Sequence, residues 1–356
     1  MTAHQPDAAP HGARWTDPFR VAFVLTVLSL AAAGLYGGLG AIALVLGLGL
    51  LEVCVSFDNA VVNAGVLHLL PPRARWLFLT VGMAVACIGV RLLLPLVIVS
   101  MAARIGPIRT VQLALDEPTR YADVLLGVRP AVSAFGGIFL ALVFLRFLLA
   151  GTGRPWIGWI ERPARRLKAV PYLEAGVGIT LGLALCSQAP AGARIGVGVA
   201  VLIGLLAFWG VQALGDAVGP GRDEDEAGLS NAARTFAVIA YLEVLDASYS
   251  VDSVMGAFSV TLDVVLITLG LSIGAAYIRG LTVLVAESKV LGKLPFVEHG
   301  AYYAIGLLAA VSLAQVWTDV PDILAAGAGV LVIGAAIASS LVARRADATV
   351  ADAGVA

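Results

Sequence analysis

Apolar residues in this chain run for about twenty positions at a time with few charges between them, the length each helix needs to cross a bilayer. Within hydrocarbon only helices or closed barrels satisfy their own backbone, and these Leu, Ala, Val and Gly runs lack the alternation of a barrel. With 60% hydrophobic and 13% charged residues over 356 positions, the chain lies far from the composition of a water-soluble domain. The expectation is an all-α, polytopic transmembrane helical bundle.

About ten spans can be drawn: 20–38, 40–68, 76–101, 131–150, 172–188, 194–216, 234–260, 263–286, 299–318 and 322–343. The fifth is short and Gly-rich. The first has no clear small-residue cleavage site after its polar leader and reads as an uncleaved helix. Most Lys and Arg outside the spans fall on one side, which the positive-inside rule makes cytoplasmic. Both termini are then expected inside the cell (inner) membrane.

The expected organisation is a cytoplasmic tail at 1–19, a first transmembrane half at 20–218 and an acidic cytoplasmic linker at 219–233. A second half at 234–343 and a cytoplasmic tail at 344–356 complete it. Residues 102–130 read as the longest outside loop. The Arg/Lys-rich inner segment 154–168 reads as a solvated topology signal, with contact to anionic headgroups as the alternative. The net charge of −1 gives no general attraction to nucleic acid. Cys54, Cys87 and Cys186 lie in apolar runs without metal or disulfide spacing.

Two segments share a pattern that composition does not account for. Glu52-Val-Cys-Val-Ser56-Phe-Asp58-Asn59 and Asp246-Ala-Ser-Tyr-Ser250-Val-Asp252-Ser253 both place an acid, then Ser, then Asp, then a small polar residue at equal spacing. In the helix that follows each, Gly82 precedes Arg91 by the same interval that separates Gly270 from Arg279. The motifs fall on spans two and seven, so they run in opposite directions. That is an inverted repeat of two halves, an arrangement that places transporter sites at the repeat interface near the midplane.

An isolated Asp or Glu at a helix centre costs about 3 kcal/mol on insertion scales. Glu52, Asp58, Glu243, Asp246 and Asp252 therefore need protonation, an arginine or a bound cation. At roughly 100° per residue, Glu52, Ser56, Asn59 and Asn63 share one helix face. Glu243, Asp246, Ser250 and Ser253 share another. Asp58 and Asp252 point away from these stripes, which leaves two options: they face another helix, or the helix breaks near Ser-x-Asp. Carboxylate, hydroxyl and amide oxygens suit Mg²⁺, Ca²⁺ and Mn²⁺. Arg91 and Arg279 are the candidate charge partners, and purely structural ion networks are the alternative. His68 and His299 read as interfacial rather than as ligands.

The segment from Leu51 through Glu52, Ser56 and Asp58 to Asn59-Ala60 resembles the first signature of the TerC family of integral membrane proteins. Val251-Asp252-Ser253, followed by Ala257 to Asp263 and the Gly270–Arg279 helix, resembles the second. Tyr241 to Ser248, Arg91 to Pro95 and Glu298-His299-Gly300-Ala301 resemble the DUF475 branch. The resemblance implies a relative of manganese and calcium exporters in the LysE-like transporter group, with Glu52, Asp58, Asn59, Asp246, Asp252 and Ser253 as metal-site residues. The chain departs from the TerC pattern in lacking a proline shortly after Asp252.

The expected function is a secondary transporter, in the export direction, for a divalent cation: Mn²⁺ first and Ca²⁺ next, with protons as the exchange partner and no organic cofactor. Glu52, Ser56, Asp58, Asn59, Glu243, Asp246, Ser250, Asp252 and Ser253 would supply oxygens. The alternative is a non-transporting membrane scaffold in envelope or metal stress. An enzyme is disfavoured, because no HExxH pattern and no catalytic triad is visible, and with no Walker A pattern the energy would come from a gradient rather than bound ATP.

Overall fold

The computed structural model describes residues 17–67, 70–82, 89, 91–151, 154–218, 231–258, 260–287, 294–318, 320 and 322–353, and among them there are helices and no strands. The expected tail 1–19, apart from its last three residues, lies outside the described residues, as does the linker 219–233 up to Ser230. His68 and the end of the second tail (354–356) do so too.

The chain opens with α1 (Arg20–Val55), which is helical on both sides of Gly37 and Gly38. Gly38 takes φ 68° and ψ −154°, a region open to glycine and closed to other residues, so the helix folds back there. Its two limbs lie along α12 (Val264–Glu287) in opposite senses. Phe19 packs on Gly280 and Tyr36 meets Asp263, so the first limb runs antiparallel to α12. Leu48 packs on Gly270 and Glu52 on Gly274, so the second limb runs parallel to it. α1 thus contains the first expected span and most of the second, and α2 (Phe57–Leu67) continues the latter after a break at Ser56.

The third expected span is irregular. α3 (Pro72–Leu77) passes into a π-helical turn at Phe78–Gly82, and α4 (Leu94–Ala103) ends it. The expected outside loop 102–130 is instead largely helical: α5 (Pro107–Asp116) and α6 (Pro118–Gly127) pack on α4. Proline at the start of each has the fixed φ and missing N–H that suit a first helical position. α5 and α6 bury Leu113, Tyr121 and Leu125 against Val99, Phe258 and Leu271.

The remaining helices are α7 (Arg129–Ala150), α8 (Gly158–Leu167), α9 (Leu173–Gln188), α10 (Arg194–Val218), α11 (Asn231–Phe258), α13 (Val297–Ala314) and α14 (Asp322–Ala353). α7, α9, α10 and α13 share a core around Phe139, Leu142, Phe208 and Ile305. α14 runs ten residues past the expected end of the last span at 343, so most of the presumed tail is helix. Asp263 starts α12 by accepting hydrogen bonds from the N–H groups of Val265 (2.9 Å) and Leu266 (3.2 Å). Outward positions such as Phe23, Leu28, Leu50, Leu183 and Ile195 are exposed, as lipid-facing side chains are.

Six helices among the described residues are long and apolar enough to cross a membrane, or seven if Arg91–Ala103 and Pro107–Asp116, bent by 104°, form one span. The difference from the expected count has identifiable causes. α1 holds two helical limbs joined at Gly37 and Gly38, so two expected spans fall within one element, and the third expected span is interrupted by π-helical turns. α9 has only 16 residues. α11 carries Glu243, Asp246 and Asp252 inside its apolar stretch.

α11 ends at Phe258 and α12 begins at Val264, and Glu243 on the first meets Arg279 on the second, so the two run antiparallel and α11 also opposes the second limb of α1. It packs on α2 and touches α1. The two motif-bearing segments are therefore neighbours of opposite direction.

Candidate functional site

Glu52 lies on the second limb of α1, level with the middle of α12, and is fully buried. The Arg91 guanidinium donates to its Oε1 in an ion pair. Ser56, one turn on, donates its hydroxyl to the same oxygen at 2.7 Å. The other oxygen, Oε2, is buried without a hydrogen-bond partner among the described residues. Asn63 and Ser253 are also buried, and Asn63 Oδ1 and Ser253 Oγ likewise have no partner there.

Glu243 on α11 makes the corresponding pair with Arg279 on α12, at 3.8 Å. This pair is looser, and the Glu243 side chain keeps 21% of its surface exposed. The Arg279 guanidinium lies 4.0 Å from the centre of the Phe78 ring, a cation–π contact to the first residue of the π-helical turn. Such turns occur disproportionately at functional positions in helices.

Each pair lies within one half of the expected repeat, and its carboxylate packs on a glycine of the other. Glu52 is held by Arg91 of its own half and lies against Gly274 of the other, where an added Cβ would come within 2.4 Å of Glu52 Cβ. Glu243 is held by Arg279 of its own half and lies against Gly82 of the other, where a Cβ would come within 2.8 Å of Glu243 Oε1. Two missing side chains let two carboxylates reach the interface.

The expected site residues are only partly accounted for. Glu52, Ser56 and Arg91 are brought together, as are Glu243 and Arg279. Asp246 is buried one turn from Glu243 on α11. The side chains of Asp58, Asn59, Ser250 and Asp252 lie outside the described residues, although their backbone is helical. The first motif breaks at Ser56, while α11 runs unbroken through the second. Among the described residues no group of three or more His, Cys, Asp and Glu side chains is placed to hold a metal ion.

A family model described as "Protein of unknown function (DUF475)" matches residues 57–347. This chain belongs to the DUF475 family. No curated protein and no solved structure matches it. The DUF475 match begins at Phe57 and includes Asp58, Arg91, Glu243 and Arg279, while Glu52 and Ser56 precede it.

The DUF475 region also holds a buried ionic cluster that sequence reasoning missed. Glu161 on α8 is buried and accepts hydrogen bonds at Oε1 from the N–H groups of Trp156 (3.1 Å) and Ile157 (3.0 Å). Its Oε2 lies 3.5 Å from Arg165 and 3.4 Å from His299 Nε2 on α13. His299 is itself buried, with the Phe147 and Phe296 rings edge-on to it. A single acid inside an otherwise basic segment was the available signal, because a lone carboxylate reaching back to the start of its helix acts as a cap.

Glu161→Ala strands two N–H groups and removes the acid that Arg165 and the His299 ring face. The expected cost is about 3 kcal/mol, read as a lower melting temperature of the detergent-purified protein. Glu161→Gln keeps an acceptor and should recover part of that loss.

Proposed function

We propose that this protein is a secondary transporter for a divalent metal cation, with Mn²⁺ as the favoured cargo and Ca²⁺ next. Its place is the cell membrane, with both termini cytoplasmic and export as the direction. The reading draws on the TerC-like motifs, and one observation carries it: two intramembrane carboxylates of opposed helices, each held by its own half's arginine, meet the other half through a glycine. A guanidinium on a buried carboxylate is a tethered cation, and a metal ion that displaces it restores the same charge balance. Glu52, Glu243, Asp58, Asp246 and Asp252 would be the carboxylate ligands, with Ser56, Asn59, Ser250 and Ser253 as neutral oxygens. Buried acids released from an arginine can take protons instead, which makes proton exchange the natural coupling reaction.

The second reading is a membrane scaffold in which the two ion pairs only bolt helices together. The close contact of Arg91 with Glu52 favours it, since that pair is already neutral without metal. Radioactive manganese uptake into inverted vesicles separates the two. Wild type should accumulate the ion, and Asp58→Asn and Asp252→Asn should each slow uptake about tenfold or more. Equal, substantial flux in all three removes these residues from the site, and no flux in wild type favours the scaffold.

A further inference from the structure

The segment between α7 and α9 holds a cleft separate from the ion-pair interface. Arg146, near the end of α7, meets Glu174 in the first turn of α9 at 3.4 Å. Beside this pair opens a cleft of about 400 Å³ whose lining includes Arg146, Leu149, Lys168, Val170, Tyr172 and Glu174. Its wall is therefore amphiphilic: two cations and one carboxylate set among aliphatic and aromatic surface.

α8 leads into this cleft and is itself amphipathic. Glu161 turns inward to His299, while Arg162, Arg166 and Lys168 are exposed. Trp159 is 80% exposed and Tyr172 88% exposed. Large aromatic rings left bare beside basic residues at the end of a membrane bundle are characteristic of the headgroup level of a bilayer. Glu161 and Glu174 each already meet an arginine, so the segment as a whole is positive. Water alone gives no reason for the exposed indole and phenol, and a soluble polyanion gives none for the aliphatic wall.

We propose that this cleft and the adjoining face of α8 bind an anionic phospholipid of the phosphatidylglycerol type. Arg146 and Lys168 hold the phosphate. Glu174 accepts from a headgroup hydroxyl, which a bare second phosphate could not offer. Leu149, Val170 and the Tyr172 ring line the upper part of an acyl chain, and Arg162 and Arg166 add attraction to neighbouring anionic headgroups.

The test uses the full chain purified in neutral detergent, with bound lipid counted by native mass spectrometry and stability followed by melting. Phosphatidylglycerol should be retained about fivefold or more over phosphatidylcholine, and Lys168→Gln should lower its retention about fivefold. Lys168 is exposed, so this change leaves the bundle intact. Arg146→Gln should lower retention further, and Arg109→Gln on α5 should leave it unchanged. Equal retention of the two lipids, or wild-type retention by Lys168→Gln, overturns the proposal. Equal stabilisation by inorganic phosphate also overturns it, because the site would then be one for a free anion.

Discussion

Arg91→Leu is expected to lower the stability of the folded bundle by about 3–5 kcal/mol. The loss does not measure an attraction between two ions. Glu52 has no surface open to solvent, and Ser56 offers it a single hydroxyl. Without the guanidinium, the carboxylate must stay charged in a medium that cannot solvate it or take up a proton to fold. The double variant Glu52→Gln/Arg91→Leu removes both charges and should recover a large part of the loss. Melting of single and double variants in detergent checks this. If Arg91→Leu melts like wild type, the buried pair is not what holds α1 to the third span.

Gly274→Ala is the second large effect, at about 3 kcal/mol. The new methyl would lie 2.4 Å from Glu52 Cβ, 2.5 Å from its Cγ and 2.7 Å from the carbonyl oxygen of Gly49. One of those three is backbone and the other two sit at the root of a side chain, so none can swing aside. α1 and α12 must separate, and the Glu52–Arg91 pair moves with α1. Gly82→Ala should cost clearly less, because the atom it meets is the far end of the flexible, partly exposed Glu243 side chain. Gly47→Ala provides the control: nothing lies within 4 Å of its added Cβ, and alanine is the better helix former by about 1 kcal/mol. It should be neutral or slightly stabilising.

The helices were legible because hydrocarbon imposes length and apolarity together, and both show in a linear string. The reversal in α1 fell where spans were expected to change, at Gly37 and Gly38. The 102–130 region misled because its charged residues disguise two amphipathic helices. Pro107 and Pro118 at their first positions were the overlooked signs.

Within the site, the acids and arginines could be named from sequence, but their pairing could not. Alignment of the motifs equates Glu52 with Asp246, whereas the acid that meets the second arginine is Glu243. Register within a motif follows the chain. Pairing follows depth in the bundle, which depends on how α11 and α12 lie side by side. The Glu161–His299 cluster was illegible for the same reason, since its partners are 138 positions apart and meet because α8 and α13 both pack on α7.

The pairing within each half also bears on motion. Each arginine travels with its own half, so a rocking of one half against the other would carry both salt links along as closed, neutral units. What such a movement disturbs is the backbone contact at Gly82 and Gly274, the stacking of Arg279 on Phe78, and the packing of α1 and α2 on α12 and of α7 on α13. Those are short-range contacts, so packing rather than the ion pairs sets the cost of such a movement. For these two pairs the electrostatic cost of housing charge in oil is met inside each half, and the seam between the halves is closed by helix packing and by the Glu161–His299 contact.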